Sequence, residues 1–265
     1  RLTALGALSN EVVAEAISQI GVIDVIDTDI ILIGDEPAIC YRHRAGRIEV
    51  ARRSGGQWSV STVVNHGAAG AECELGIVNG QLVIAYQQGN QLRYASQQAN
   101  GTWSTQVADS PGTSVGRDID MVIYNGAPFI AHRDETRGVL RVSRRNGNSW
   151  QHVSPVAVGS ASGFRPSLMV SETGIRVFHG SVPNQPDGTA DGNVWLSTGD
   201  VDANQLGMFN FDDRSVGGGQ AIAHGDTGYM LFSRRLQRSA LFGQADALYL
   251  WTNPDSGRQT SLEYA

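Results

Sequence analysis

The sequence predicts an all-β chain built from repeated four-stranded units, on three observations. A segment with one pattern recurs at near-constant spacing, the residues around each copy alternate between apolar and polar, and Gly, Asn and Pro interrupt that alternation at short intervals. With 32 Gly, 8 Pro, 41% hydrophobic and 17% charged residues in 265, the chain is globular and rich in turns, with ample material for a core. That length fits one large domain, since all-β folds run past about 200 residues as single units.

The recurrent segment is clearest in Asp29–Tyr41 (DIILIGDEPAICY), which aligns without a gap on Asp120–His132 (DMVIYNGAPFIAH) and on Glu74–Tyr86 (ELGIVNGQLVIAY). Weaker copies follow at Ser167–His179 and Ala221–Ser233. The final residues of the five copies, Tyr41, Tyr86, His132, His179 and Ser233, are separated by 45, 46, 47 and 54 positions. Each unit begins with an apolar run, a turn and a second apolar run. A third run such as QLRYAS then alternates at period two, and a Gly-rich turn leads into a Trp that opens the fourth. Four short strands in about 40–50 residues are the signature of a propeller blade. The expected architecture is one β-propeller domain over 1–265, of about five blades (24–69, 70–115, 116–163, 164–217 and 218–265), with six as the alternative. The segment Asn10–Ile20 (NEVVAEAISQI) has some helical character, but a closed ring needs its first and last blades joined, so residues 1–23 are expected to supply the closing strand.

The third-to-fourth hairpins read ARRSGGQW (Ala51–Trp58), SQQANGTW (Ser96–Trp103) and SRRNGNSW (Ser143–Trp150). They resemble the Asp-box turn, Ser-x-Asp-x-Gly-x-x-Trp, of sialidase-like and lectin-like propellers. The resemblance spans roughly 120 residues, with Ser, Gly and Trp all matched in the third copy alone and Arg in place of Asp in two of the three. It implies a structural turn whose Trp packs between neighbouring sheets, and bears on architecture more than on activity.

Charge narrows the function. The 26 acidic and 20 basic residues give a net charge of −6, and every basic residue other than His is Arg. This balance speaks against nucleic-acid partners and polybasic membrane anchoring, and no apolar run reaches the roughly 18 residues of a membrane span. A soluble chain is expected. It starts at Arg1 without Met, as a mature product or an excised piece of a longer protein would. Cys40 and Cys73 match no metal or redox spacing and form one disulfide or none.

In a four-stranded meander the starts of the first strands and the ends of the second strands share one rim around the central channel. The first strands open on Asp27-Thr-Asp29, Glu72-Cys-Glu74 and Asp118-Ile-Asp120, and side chains two apart in a strand face the same way. Such a cluster reads as a hard-cation site, with Ca²⁺ as the candidate cofactor, or as acid/base machinery. The alternative is that each acid accepts backbone N–H groups at a blade junction or pairs with an Arg. The second strands end on Tyr41-Arg42, Tyr86-Gln87, His132-Arg133, His179-Gly180 and Ser233-Arg234, giving Tyr41, Tyr86, His132, His179, Arg42, Arg133 and Arg234 as candidate ligand-binding residues. The competing role for the rings is packing between blades. Long segments after the second strands of units four and five, Gly180–Val194 and Arg235–Ala247, read as loops over this rim, and Asp187, Asp191 and Asn193 match a Ca²⁺ loop weakly.

Two function classes follow. One is a secreted or surface binding module that recognises a glycan or protein partner on this rim. The other is a sialidase-like hydrolase or a propeller-type polysaccharide lyase acting on an acidic sugar. In the hydrolase reading, Tyr86 or Tyr41 would be the nucleophile and Asp120 or Asp29 the acid/base, with Arg165, Arg42, Arg133 and Arg234 as candidates for clamping a carboxylate. The sequence departs from sialidases in its number of blades, its missing Asp-box aspartates, and a Phe164-Arg165-Pro166 that lies in unit four. Binding is the favoured reading.

Overall fold

The computed structural model describes residues 25–43, 46–65, 69–154, 162–171, 174–181, 193–198, 207–214, 219–224, 227–237 and 244–252. They are all β, with no helix among them. The first sheet joins β1 (Val25–Ile33), β2 (Glu36–His43), β3 (Ile48–Ser54) and β4 (Gln57–Val64) in chain order. The second repeats this with β5 (Ala69–Val78), β6 (Gln81–Gln88), β7 (Gln91–Gln97) and β8 (Trp103–Asp109), and the third with β9 (Val115–Tyr124), β10 (Ala127–Asp134), β11 (Val139–Asn146) and β12 (Ser149–Val153). In the fourth are β13 (Ser162–Ser171), β14 (Gly174–Ser181), β15 (Asn193–Thr198) and β16 (Gly207–Arg214). Three further strands, β17 (Gly219–His224), β18 (Thr227–Gln237) and β19 (Gln244–Thr252), form the fifth sheet among the described residues. Every paired strand is antiparallel, and the opening strands β1, β5, β9, β13 and β17 pack on one another in succession.

The core lies between sheets. One cluster joins Cys40, Ile48 and Val50 of the first sheet to Leu75, Ile84 and Tyr86 of the second. The next joins Val83, Ala85 and Tyr94 to Ile119, Met121 and Ile130, and a third joins Phe129, Leu140 and Val142 to Leu168, Ile175 and Val177. Successive residues of β6 therefore serve opposite clusters, which is why its apolar run is continuous while the outer β8 is buried only at its end. Trp103 packs against the first of these clusters and Trp150 against the second, where its ring meets Tyr94 edge-on at 5.3 Å.

The repeat extends to backbone detail. β9 and β13 carry bulges at corresponding places. Gly116 and Gly163, 47 residues apart, both adopt positive φ, as do Asp118 and Arg165 at the same separation. A Cβ at Gly116 would meet the Leu92 backbone at 3.0 Å, and one at Gly163 would meet that of Leu140 at 2.7 Å. Only glycine lets the entering strand lie this close to the third strand of the preceding sheet.

One expected loop is ladder where it is described, residues 238–243 lying outside the described residues. Most of Arg235–Ala247 is ladder, with Arg235 opposite Asp246, Leu236 opposite Ala245 and Gln237 opposite Gln244. Leu236, Ala245 and Ala247 keep enough alternation to extend the hairpin. Asn193 likewise opens β15 opposite Ser181. Asn10–Ile20, Asp187 and Asp191 lie outside the described residues.

Candidate functional site

The opening strand of each sheet pairs on one side only, so its other backbone N–H groups need acceptors. The rim carboxylates supply them across the junctions. The N–H of Leu75 donates to Asp29 Oδ2 at 2.8 Å, and that of Ile30 to Asp29 Oδ1 at 2.7 Å. The N–H of Ile119 donates to Glu72 Oε2 at 2.6 Å, and that of Leu168 to Asp120 Oδ2. Asp29, Glu72 and Asp120 thus each tie one sheet to the next. Burial pushes the Asp120 carboxyl up to about 6; the Leu168 and Met121 N–H groups oppose that rise, and the charge of Asp29 adds to it. Glu74 is half-buried on the same strand as Glu72, and the side chain of Asp27 lies outside the described set. Among the described residues, no group of three or more His, Cys, Asp or Glu is arranged to hold a metal ion.

The rings expected on the rim lie in the seams between sheets. Tyr86, His132 and His179 are fully buried, and Tyr41 is 4% exposed. Of their neighbours on the strand, which point the other way, Arg42 and Arg133 are half-buried, whereas Gln87 is buried with its Nε2 donating to the Val115 carbonyl at 3.2 Å. Arg234 pairs with Ala247 in the β18–β19 ladder. Burial raises the pKa of Tyr41, as does its hydrogen bond to Glu49, and burial raises that of Tyr86 against the opposing effect of Arg93. Neither phenol is poised as a nucleophile. Cys40 and Cys73 are disulfide-bonded, joining β2 to β5 with 6.4 Å between Cα atoms.

The seam between sheets two and three holds a network that the sequence reading did not single out. His132 Nδ1 accepts the N–H of Gly116 at 3.3 Å, which places its hydrogen on Nε2, 3.0 Å from Ser143 Oγ. Ser143 in turn lies 2.9 Å from His152 Nδ1. Asp109, 3% exposed at the end of β8, accepts from Arg141 Nε at 2.6 Å and lies 3.5 Å from His132 Nε2 and 3.7 Å from His152 Nδ1. Burial pulls His132 down to about 4; Asp109 opposes that shift and Arg141 adds to it. Ser143 is fully buried, so this Ser–His–Asp grouping is a structural tie closed to substrate.

The accessible chemistry lies where sheets three and four meet on the same rim. The Arg133 guanidinium stacks on Phe164, with Cζ 3.8 Å from the ring centroid. Arg165 is exposed, and its N–H bonds the Asp118 carboxylate, whose pKa is raised by burial against the pull of Arg133 and Arg165. Arg117 is paired with Glu135 at 3.2 Å, and Glu135 also accepts from Ser114 Oγ at 2.9 Å. Asp118 and Arg165, at φ 49° and 44°, hold a left-handed backbone that costs a non-glycine residue about 1–3 kcal/mol, and such positions cluster at functional sites.

The sequence matches no protein-family model and no curated protein. Solved structures do match. An exo-β-1,3-galactanase from Phanerochaete chrysosporium, bound to β-1,3-galactotriose, is similar with a TM-score of 0.54 and 10% identity over 89% of this chain. The fold is a β-propeller. The chain spans 62% of that galactanase's length. It is also similar to the lectin SapL1 in complex with α-methyl fucoside (TM-score 0.53, 14% identity, 87% of this chain and 77% of that one). A third similar structure is the Aleuria aurantia lectin with Fucα1-6GlcNAc (TM-score 0.52, 12% identity, 83% and 72%). The propellers it resembles therefore include both hydrolases and lectins, and at these identities they speak for the fold alone.

Proposed function

We propose that this propeller is a glycan-binding module whose rim at the junction of sheets three and four takes an acidic sugar. The reading rests on one observation above all, the Arg133 guanidinium stacked on Phe164 beside the exposed Arg165. A sugar carboxylate would meet two planar donors, and the edge of Phe164 offers an apolar contact for ring C–H groups. Asp118 orients the pair through the Arg165 N–H and its charge. Binding is favoured over hydrolysis because Asp120 and Asp29, the acid/base candidates, are engaged by backbone N–H groups and both candidate nucleophiles, Tyr41 and Tyr86, are buried. The similar lectins and galactanase have glycan ligands, which supports a glycan over a protein partner.

A secreted or surface location belongs to the same reading, since a disulfide between blades persists in an oxidising compartment. So does ring closure at five or six blades. Ile30 and Leu32 leave an apolar face of β1 61% and 62% exposed, a surface for the closing segment Asn10–Ile20 or the last blade to cover.

Calorimetric titration with the methyl glycosides of N-acetylneuraminic acid and galacturonic acid tests the proposal. At least one should bind, and Arg133→Ala and Arg165→Ala should each weaken it about tenfold or more. Unchanged affinity in both variants, or turnover of the glycoside that Asp120→Asn abolishes, overturns it.

A further inference from the structure

The opposite rim carries a cavity. Between sheets one and two, a groove of about 530 Å³ runs from the β3–β4 strands of the first sheet to the turns of the second, within the usual size range of small-ligand sites. Two of its lining turns use glycine. Gly80 and Gly101 hold φ of 77° and 82°, and nothing lies within 4 Å of where a Cβ would sit on either.

The lining is neutral except for one guanidinium. Arg52 and Gln81, both exposed, line the groove, and their side chains make no hydrogen bond or ion pair among the described residues. Ser59, Ser61 and Gln97 line it as well. Trp103 Nε1 fixes the Ser61 hydroxyl at 3.2 Å, and Gln97 Nε2 donates to the Gly101 carbonyl at 3.4 Å, leaving its own carbonyl as an acceptor. Val60, 49% exposed, adds an apolar step in the wall. The Gln81 amide, which both donates and accepts, the Arg52 guanidinium, and the Ser59 and Ser61 oxygens, whose protons go to the Arg52 and Val50 carbonyls, are set around an exposed apolar side chain and match a pyranose with its equatorial hydroxyls and C–H face. No carboxylate lines the groove, and a single Arg gives it little of the anion preference of the sheet three–four rim.

We infer that this groove is a second glycan site, selective for a neutral pyranose. It deepens the glycan-binding reading but uses none of the rim residues, so the two succeed or fail separately. The test is saturation-transfer NMR and titration of the whole protein with methyl glycosides of galactose, glucose, mannose and fucose at up to ~10 mM, a range suited to weak monovalent binding. At least one should bind. Ala99→Trp, which fills the groove, should abolish that binding, and the surface double variant Arg52→Ala with Gln81→Ala should weaken it about tenfold at unchanged melting temperature. Arg133→Ala should leave it unaltered. No response from any neutral glycoside overturns the inference, as does binding that survives the double variant, or binding lost in Arg133→Ala. Acidic-sugar binding that persists in Ala99→Trp keeps the rim proposal standing whichever way the groove result falls.

Discussion

Two neighbouring seams of this propeller meet the same requirement by different chemistry. Between sheets one and two, the second-strand terminus presents Tyr86 to an apolar cluster, and the Cys40–Cys73 bond locks β2 to β5. Between sheets two and three, the equivalent ring is His132, and the lock is a buried carboxylate, Asp109, held by Arg141 and flanked by His132 and His152. The lock of the first seam is a covalent bond that carries no charge and is vulnerable to reduction. The second is the reverse. A repeat fixes where a junction must be sealed, while each copy is free to choose the chemistry that seals it.

The largest difference should come from removing Asp109. Its loss leaves the Arg141 guanidinium, 12% exposed, without its counter-charge, and breaking one side of a buried pair costs roughly 3–5 kcal/mol. Denaturant unfolding of Asp109→Ala should show that loss. Asp109→Leu combined with Arg141→Leu should recover most of it, because no charge is then stranded; Ser143 and His152 still satisfy each other. A double variant as unstable as the single one would mean that the seam depends on the ion pair itself.

Reduction should come next. Cys40 and Cys73 are 33 residues apart, and in the chain-entropy description a loop of that size contributes about 4 kcal/mol. Cys40→Ala with Cys73→Ala should lower stability by about that amount, or by somewhat less where the small side chains repack. Reductant should reproduce the effect in the native protein and have none in the variant. Equal sensitivity to reductant in both would place the effect elsewhere.

The fold was legible because strand patterning is local. Period-two alternation, the NG turns and the Gly-rich turns that lead into Trp mark the strands, and a spacing of 45–54 positions marks the sheets. The rim was legible only as a set of positions. Reading Asp27 through Asp120 as acidic-x-acidic pairs gave their place, but whether each carboxylate meets a cation or a backbone N–H depends on the offset between sheets, which no single strand encodes. The same holds for Tyr86, His132 and His179: their place at the strand ends was readable, and their burial depended on which face the next sheet covers. Asp109 was invisible for a related reason. Ser143 opposite His152 and His132 opposite Arg141 are pairings within one sheet, whereas Asp109 reaches them from another. Phe164-Arg165 could be noticed as a motif, but its partner Arg133 lies in the preceding sheet.

The smallest expected effects are two opposed responses to pH on the two sides of sheet three. His132 has a folded pKa lowered from 6.5 to about 4, so its contribution is complete above pH 6.5 and is lost as the pH falls toward 4. Asp120 has a folded pKa raised from 3.8 to about 6, so its contribution is complete below pH 4 and is lost as the pH rises through 6. In the native protein these slopes partly cancel between pH 4 and 6. His132→Gln should expose the Asp120 slope, with melting temperature falling as pH rises across that window. Asp120→Asn keeps a carbonyl acceptor for the Leu168 N–H and should expose the opposite slope, with melting temperature falling as pH drops. Melting curves at half-unit pH steps separate the two. Parallel profiles in both variants would show that neither group controls its seam, and that the acid response belongs to carboxylates shared by all the junctions.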